Sequence, residues 1–522
     1  MAQEIELKLA LPENAQRAFL RHPLLQQAAR KQTYRLTNLY YDTPARDLRQ
    51  RGIALRLREH GGFWLQSVKC AGQRAGGVSA RPEWETPYAG HFDFAAIDDP
   101  AVRDWLSRPK LLARIAPVFE TNFQRTAWTF ELPRGTRVEL ALDRGWIVAN
   151  GQRQAISEIE IELLAGEAMQ LFVMAQTLAQ RIPLSPAPLS KADRGYRLWQ
   201  QLPAAPVKAA PIPLAASAAP LDAFRAIALA CLDHLQQNHL GALACGNADP
   251  EYIHQMRIST RRLRAALRLF GPLLPDNLAA ALLPPLRELM AVLGPARDLD
   301  VLLAEIAAPV LTALPDEPRL AALVGIITER RFVARQEALR FMRSPRYGCI
   351  VLQALATLHA QPEAVKVGAG GTAKAEMGSD TGTALTLLEF AQNRLRRLRK
   401  KVLALAGETR VDNPPSLHAL RIDIKRLRYA LEFFTPLASP KALRRMLLHL
   451  TRLQDTLGQI NDLASAGELL MSCADADPRL REAVTLIGGW HGPRHHKLLK
   501  AVPAGLKQLG RLRLPKLSAG QN

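Results

Sequence analysis

The sequence contains few cysteines and few aromatic residues. Its five cysteines among 522 residues form no Cys-x-x-Cys pair, which argues against a zinc ribbon or a disulfide framework and fits a reducing compartment. We find no apolar run that we expect to span a bilayer, and the first residues lack a signal-peptide core. We therefore expect a soluble cytoplasmic protein that does not enter a membrane.

Acidic residues are outnumbered, 48 against 69 basic ones, which gives a formal net charge of +21. Residues 1–200 carry +6 of this charge and the remaining residues carry +15, so the excess lies mostly in the second part. Such a charge attracts polyanions, namely nucleic acid, polyphosphate or an anionic membrane surface. The length exceeds that of one ordinary domain and predicts two or three.

Charged and apolar residues alternate in several segments of the first 200 residues. In residues 4–8, a β-strand would place Glu4, Glu6 and Lys8 on one face and apolar side chains on the other. A half-buried strand with one wet face explains any single segment of this kind. Several mixed-charge faces together instead predict a shared polar interior. The other segments are 54–58, Phe63–Cys70, 81–85, 122–126, 139–143 and 158–163.

A closed antiparallel barrel of about eight strands would enclose these charges and leave room for one small ligand. Helices would cover its apolar outer surface, and the candidate segments are 13–30, 166–180 and 191–201. The carboxylates are hard oxygen ligands suited to Mg²⁺ or Mn²⁺. The basic side chains would bind a polyanion such as a phosphate chain.

The second part is predicted to be helical and duplicated. Residues 203–217 are rich in Pro and Ala and predict a linker. Beyond it, His254-Gln-Met-Arg257 aligns with His418-Ala-Leu-Arg421, and Leu-Gly at 293–294 aligns with Leu-Gly at 457–458, at a constant offset of 164 residues. We interpret this pattern as two copies of one helical unit.

Each copy contains a helix with basic residues on one face. Positions 254, 257, 261, 264 and 268 fall within roughly 80° around a helix. A solvated basic face is the ordinary interpretation of such a run. The repetition and the near absence of acids favour an anion site, because like charges along one face repel each other. The predicted site comprises His254, Arg257, Arg261, Arg264, His418, Arg421, Lys425 and Arg428.

One aspartate follows Leu-Gly in each copy, Asp298 in the first and Asp462 in the second. Two interpretations are open. The aspartate would cap a helix that begins after Leu-Gly, or it would hold the basic residues of a neighbouring helix.

Residues 1–202 resemble the CYTH domain, also called the triphosphate tunnel metalloenzyme fold. Besides the alternating segments, the resemblance rests on Tyr-Tyr-Asp-Thr at 40–43, Leu-Asp-Arg-Gly at 142–145 and Lys-Ala-Asp-Arg-Gly at 191–195. Residues 218–510 resemble the CHAD domain through the helices with histidine and basic residues.

The resemblance implies an α+β, eight-stranded antiparallel β tunnel with flanking helices. An all-α domain of two duplicated four-helix bundles would follow it. The first copy would span about 218–365 and the second about 384–510, with a flexible loop at about 366–383 that is rich in Gly, Ala and Thr.

The resemblance also implies a function, the hydrolysis of inorganic triphosphate with Mg²⁺ or Mn²⁺, and a helical part that binds long-chain polyphosphate. The implied metal ligands are Glu4, Glu6, Glu158, Glu160, Glu162 and Asp143. The implied substrate contacts are Lys8, Arg56, Arg58, Lys69, Arg81, Arg125 and Lys191. The catalytic candidates are Lys8 and Glu85, and Glu85 or a metal-bound carboxylate would orient the attacking water.

Three other functions stay open at this point. The same fold could carry a class IV-like adenylate cyclase or another nucleotide or organic triphosphatase. A non-enzymatic polyphosphate scaffold would have no use for so many glutamates. RNA recognition is disfavoured by the few aromatic residues along the basic helices, although binding to a nucleic-acid backbone stays open. Association of a cytoplasmic protein with polyphosphate granules is a further open expectation.

Overall fold

The computed structural model of the chain describes residues 3–75, 78–246, 248–360, 385–475 and 477–518. The loop predicted at 366–383 lies outside the described residues. The described residues divide into two compact units. The first falls within Met1–Val207, Gln236–Leu243 and Phe341–Ala360, and the second within Lys208–Leu235, Ala244–Arg340 and Gln361–Asn522.

Among the residues that the structure describes, ten antiparallel β-strands form the sheet of the first unit, and eight of them close into the predicted barrel. The closed order is β1-β9-β8-β7-β2-β3-β4-β6, and β6 pairs back with β1. Two short strands extend it, β10 beside β1 and β5 beside β6. The strands are β1 (Gln3–Ala10), β2 (Arg30–Asp42), β3 (Ile53–His60), β4 (Phe63–Cys70), β5 (Gln73–Ala75), β6 (Val78–Pro87), β7 (Ala116–Leu132), β8 (Thr136–Ala149), β9 (Gln152–Ala165) and β10 (Ser185–Pro186).

Strand alternation separates a charged interior from an apolar exterior. On β1, Leu7 and Leu9 are fully buried, and on β9, Ile159 and Ile161 are fully buried. The charged residues between them face the other way, as the period of two requires. The exterior is therefore a core surface that needs helices to cover it.

Short and medium helices cover this surface. They are α1 (Gln16–Leu20), α2 (Asp47–Gln50), α3 (Pro100–Leu106), α4 (Pro109–Leu112), α5 (Met169–Ala179) and α6 (Lys191–Trp199). α5 contacts β9 and β1, and α6 contacts β7, β8 and β9. The helices predicted at 166–180 and 191–201 are confirmed.

The helix predicted over 13–30 is wrong. That segment holds only α1 and two 3₁₀ turns, Glu13–Ala15 and Pro23–Gln27, before β2 begins at Arg30. Pro23 explains the break, because proline disfavours a helical conformation in the residue before it. His22 is accordingly extended, with φ −67° and ψ 131°.

The described residues from 220 onwards are mainly helical. Its helices are α7 (Pro220–Cys245), α8 (Glu251–Phe270), α9 (Asp276–Val301), α10 (Ala308–Ala313), α11 (Pro318–Met342), α12 (Pro345–His359), α13 (Leu387–Glu408), α14 (Pro414–Phe433), α15 (Pro440–Ala474) and α16 (Arg481–Arg511). A π-helical turn, Leu302–Ala307, joins α9 to α10. Part of α7 and all of α12 belong to the first unit.

The duplication is visible in the helix boundaries. α8 and α14, α9 and α15, and α11 and α16 each begin 163 or 164 residues apart. With α7 and α13, these helices give four per copy when α9 and α10 are taken as one interrupted helix. Among the described residues, α12 has no counterpart in the second copy.

Leu-Gly does not precede a helix in either copy. Leu293-Gly294 lies within α9 and Leu457-Gly458 lies within α15, so the helix-cap interpretation of the two aspartates is wrong. The buried side chains of Leu289, Leu293 and Ala296 carry the apolar face of α9 through the glycine. A Cβ at Gly294 would lie 3.0 Å from the Arg257 guanidinium, which is the movable end of a flexible side chain.

Within the described part of the chain, one helical stretch, Asp276–Ala313, is long and apolar enough to cross a membrane by length and composition alone. The expectation that the chain has no such run is wrong on that criterion. A core helix of a soluble protein passes the same test, so this single stretch is weak support for a membrane span. It also contains Asp300, which is 4% exposed and lies 2.7 Å from Arg331 and 3.0 Å from Arg335.

Candidate functional site

A cavity of about 540 Å³ fills the barrel of the first unit. Seven basic and six acidic side chains line it, so their charges nearly balance. All seven predicted substrate contacts are among them: Lys8, Arg56, Arg58, Lys69, Arg81, Arg125 and Lys191. The acidic residues are Glu4, Glu6, Glu83, Glu85, Glu160 and Glu162.

Two cations, Lys69 on β4 and Arg81 on β6, each lie between two carboxylates. Lys69 Nζ lies 2.8 Å from Glu4 and 2.8 Å from Glu83, and Arg81 lies 3.2 Å from Glu4 and 3.0 Å from Glu6. Burial acts to raise the pKa of Glu4, but Lys69 and Arg81 outweigh it and the net shift is downwards. Glu4 is therefore ionised at neutral pH, which is the form that binds a metal ion.

Lys8 lies opposite Glu160 in the β1–β9 register. Its Nζ donates to Glu6 Oε2 at 2.6 Å and also to Glu160. Burial acts to lower the pKa of Lys8, but Glu160 and Glu6 outweigh it and raise the pKa. Lys8 is thus a permanent cation, suited to binding a phosphate oxygen rather than to accepting a proton.

Asp143 and Glu158 lie behind the cavity lining. Asp143 is fully buried, and its carboxylate accepts hydrogen bonds from Arg125 at 2.8 and 2.7 Å and from Lys191 at 2.6 Å. Glu158 and Glu160 are also paired with Lys191. Ligand oxygens of the three acids lie within 4.8 Å of one another, a spacing that could hold a metal ion. Asp143 and Glu158 are bound by cations and do not line the cavity, so they orient Arg125 and Lys191. Glu160 differs from them because it also lines the cavity.

A second group of acids lies on neighbouring strands, with the acidic residues directly opposite one another. Glu6 lies opposite Glu162, which lies opposite Glu139. Burial, and then repulsion from Glu4, Glu6, Glu139 and Glu160, raises the pKa of Glu162 to about 7. Among the residues that the structure describes, no cation pairs with Glu162. Like charges in this position are destabilising, and a divalent cation would offset them. Mg²⁺ or Mn²⁺ therefore fits here better than beside Asp143.

Helix α6 brings Lys191 to the cavity. Ser190 caps the helix and forms a capping box with Asp193, which fixes where the helix begins. A Cβ at Gly195 would lie 2.1 Å from the Phe119 ring, so only glycine lets α6 pack this closely on β7. Residues 191–195 thus fix the position of Lys191 at the start of α6.

Arg58 and Glu85 are the most loosely held pair in the cavity. Their charged atoms are 3.9 Å apart, and the Glu85 side chain is 37% exposed. Burial, with Arg56 and Arg125 nearby, lowers the pKa of Arg58 to about 10. A bound anion would offset the repulsion of Arg58 by Arg56 and Arg125. The exposed side chain of Glu85 can contact water.

Two uncharged residues of the site escaped the sequence prediction. Asn38 is buried and accepts a hydrogen bond from Arg58 Nε at 3.0 Å. Ser67 accepts one from Arg56 Nε at 3.2 Å and donates one to Glu85 at 2.9 Å. Each lies directly opposite its arginine in the strand register. Only that register could have identified them.

The second unit has a larger basic cavity of about 1090 Å³. Seven of the eight predicted anion contacts line it: His254, Arg257, Arg261, Arg264, His418, Arg421 and Lys425. The eighth, Arg428, lines an adjacent cavity of about 670 Å³. The two cavities share His254, Arg261, Arg421 and Lys425, so one basic cluster from both copies borders both.

The two aspartates hold the basic residues of the neighbouring helix, as the second interpretation predicted. Arg257 lies 3.4 Å from Asp298, and Arg421 lies 3.9 Å from Asp462. These contacts leave donors unused. The buried Nε atoms of Arg257, Arg264 and Arg421 have no hydrogen-bond partner among the described residues. Unpaired buried nitrogens of this kind fit the oxygens of a bound anion.

Two groups of this cavity have strongly lowered pKa values. Burial, with Arg421 and Arg261 nearby, lowers the pKa of Lys425 to about 7. Burial and Arg297 lower the pKa of His254 to about 4. His254 is therefore neutral at pH 7, whereas the charge of Lys425 changes with pH near neutrality.

Arg428 differs from its first-copy counterpart. Glu432 accepts a hydrogen bond from Arg428 at 2.6 Å, and Gln454 accepts another at 2.8 Å. Arg268 occupies the position that corresponds to Glu432 in the first copy. Arg264 therefore has fewer hydrogen-bond partners in the described protein than Arg428, and more of its donors can contact a ligand.

Comparisons with known proteins give two family matches. Residues 2–196 match the CYTH domain family, and residues 226–471 match the CHAD domain family. Over 198 residues the chain is 31% identical to an inorganic triphosphatase of Haemophilus influenzae, covering 38% of this chain and 55% of that protein. The chain thus matches about half the length of that relative.

Two solved structures resemble parts of the chain. The CHAD domain from the plant Ricinus communis is 32% identical, with a TM-score of 0.48, and the match covers 60% of this chain and 99% of that one. HpAC1 from Hippeastrum, for which a dominant triphosphatase activity is described, is 20% identical with a TM-score of 0.28. That match covers 37% of this chain and 95% of HpAC1.

Proposed function

Since the chain joins a CYTH domain to a CHAD domain, we propose that it is a metal-dependent hydrolase of inorganic triphosphate whose helical part binds long-chain polyphosphate. The observation that carries the proposal is the barrel cavity, where cations and carboxylates alternate around one small space. The 31% sequence identity to an inorganic triphosphatase, over 198 residues, supports the same activity.

The basic residues of the cavity bind the substrate in this proposal. Arginines donate in pairs to phosphate oxygens, and Lys8 and Lys191 act as point charges. Each cation is already balanced by carboxylates, so a triphosphate would exchange these pairs for contacts of its own. The buried Asp143 and Glu158 would keep Arg125 and Lys191 aimed at the substrate.

We assign Glu4, Glu6, Glu160 and Glu162 to Mg²⁺ or Mn²⁺, because they line the cavity together on the paired strands β1 and β9. When bound, the ion would supply positive charge to the phosphate oxygens. Glu85 would orient a water molecule and accept its proton as the water oxygen bonds to a terminal phosphorus. The bond between that phosphorus and the bridging oxygen would break, and pyrophosphate would leave.

The test is phosphate release from inorganic triphosphate, ATP, thiamine triphosphate and long-chain polyphosphate, each with Mg²⁺, with Mn²⁺ and with excess chelator. We expect inorganic triphosphate to be hydrolysed fastest and activity to vanish in chelator. Full activity in chelator would overturn the metal assignment. Cyclic AMP formed from ATP would favour a cyclase, and binding without turnover would favour a scaffold.

Affinity for long-chain polyphosphate should fall as pH rises from 7 to 9. A bound polyanion raises the pKa of Lys425 from about 7, so binding takes up a proton across this range. The loss is up to about tenfold per pH unit for one linked proton. Titration at pH 7, 8 and 9 measures the slope. Lys425→Arg stays charged and should flatten it. If affinity falls with pH as steeply in that variant as in the unaltered protein, Lys425 is not part of the binding site.

A further inference from the structure

Helix α12 lies within the range that matches the CHAD family, yet it belongs to the same unit as the barrel. It contacts α5 and the short strand β10. Its buried face includes Tyr347, Val351 and Leu355, none of which is exposed to solvent. The barrel unit is therefore completed by a helix from the C-terminal part of the chain.

The contact is closest at Gly348. A Cβ on this glycine would lie 1.9 Å from the carbonyl oxygen of Leu184, which is backbone and cannot rotate away. The next residue, Cys349, donates through its Sγ to the carbonyl oxygen of Ala179 at 3.3 Å. A glycine inside a helix lowers helix stability, so a close approach of this kind is its physical reason.

Leu184 begins a short segment that ends in the candidate active site. Ser185 and Pro186 form β10 and pair with β1. The amide of Ala187 then donates to the carbonyl oxygen of Lys8 at 2.8 Å. Four residues later, Lys191 meets the acids of the barrel. Displacement of the segment at Leu184 would be transmitted over seven residues to Lys191.

We propose that α12 is a positioning element of the barrel site, and that Gly348 acts through residues 184–191 on Lys191. The kinetic part of this inference rests on the proposed triphosphatase function. The alternative is that α12 only covers apolar surface, in which case a change at Gly348 would alter stability without acting through Lys191.

Hydrogen exchange in the full-length chain tests the positioning without any substrate. Gly348→Ala should speed exchange of the Ala187 amide at least tenfold. The matched control is Gly325→Ala in α11, where a Cβ meets nothing within 4 Å. It should leave that amide unchanged. Unchanged exchange in Gly348→Ala would overturn the inference. If Gly348→Ala does not fold, Cys349→Val enlarges the adjacent contact and should show the same local effect.

A double-mutant cycle with inorganic triphosphate tests the link to Lys191. Gly348→Ala alone should raise KM at least tenfold. In the Lys191→Met background it should change KM less than twofold, because the group it positions is gone. An equal effect in both backgrounds would overturn the proposed link. If the unaltered protein neither binds nor hydrolyses inorganic triphosphate, the proposed function fails, while the exchange experiment still decides the positioning.

Discussion

Replacing Glu162 with Gln is expected to lower the hydrolysis of inorganic triphosphate at least about a hundredfold, because the change removes both charge and ligand oxygen from the proposed metal site. The fold should survive. Glu162 has no cationic partner among the described residues, and its neighbours Glu4, Glu6 and Glu139 repel it. The melting temperature in chelator should therefore be unchanged or higher, whereas the stabilisation by added Mg²⁺ or Mn²⁺ should be lost.

Asp143→Asn should behave in the opposite way. Asp143 is buried between Arg125 and Lys191, and removal of one charge from a buried ion-pair network costs roughly 3–5 kcal/mol of stability. This variant should melt lower even in chelator. Glu131→Gln, on an exposed face of β7, is the control. It should change neither the melting temperature in chelator nor the stabilisation by added Mg²⁺ or Mn²⁺. Loss of metal stabilisation in Asp143→Asn but not in Glu162→Gln would place the ion beside Asp143 and Glu158 instead.

The barrel could be predicted from the sequence because its strands have a period of two. Glu4, Glu6 and Lys8 had to share one face whatever the details of the fold, and the same holds for Arg56 and Arg58. Mixed charges on so many faces have few solutions other than a closed polar interior. The seven cations predicted as substrate contacts do line one cavity, and their role there stays a prediction.

How deeply each inward-facing side chain is buried in the barrel could not be predicted in the same way. Asp143 and Glu160 both point inwards, yet Asp143 is fully buried and only Glu160 lines the cavity. The difference is set by which cations cover each acid, and that depends on strand register and on the position of α6. Asn38 and Ser67 were missed for a related reason, because uncharged residues on an inward face carry no charge pattern.

The assignment of α12 to the barrel unit had no signal in the sequence. Its apolar helical pattern resembles that of its neighbours in the chain, and the duplication alone would place it in the first helical copy. The contacts of α12 with α5 and β10, including those of Gly348 and Cys349, show where it packs.

The double variant Arg257→Glu with Arg421→Glu should lose at least about a hundredfold in affinity for long-chain polyphosphate. Both arginines line the basic cavity, and each retains a buried Nε without a partner among the described residues. A hydrogen bond to a charged group contributes roughly 1.5–3 kcal/mol, so two lost contacts reach this effect before repulsion is added. Isothermal titration of the full-length protein at fixed salt measures it.

The matched control reverses two exposed charges outside the cavities, Arg479→Glu with Arg481→Glu. A diffuse basic surface attracts polyphosphate through net charge, and net charge changes equally in both double variants. Equal losses would therefore mean that the +21 charge, rather than a site, drives binding.

Salt dependence separates the two cases further. Each neutralised phosphate releases counterions, so the logarithm of affinity falls linearly with the logarithm of salt concentration. The cavity variant should lower this slope because it removes specific phosphate contacts, and the control should leave the slope nearly unchanged. Hydrolysis of inorganic triphosphate should stay near normal in both variants, since its proposed site lies in the barrel. A simultaneous loss of hydrolysis in the cavity variant would contradict separate sites and require the basic cavity to act on the barrel chemistry.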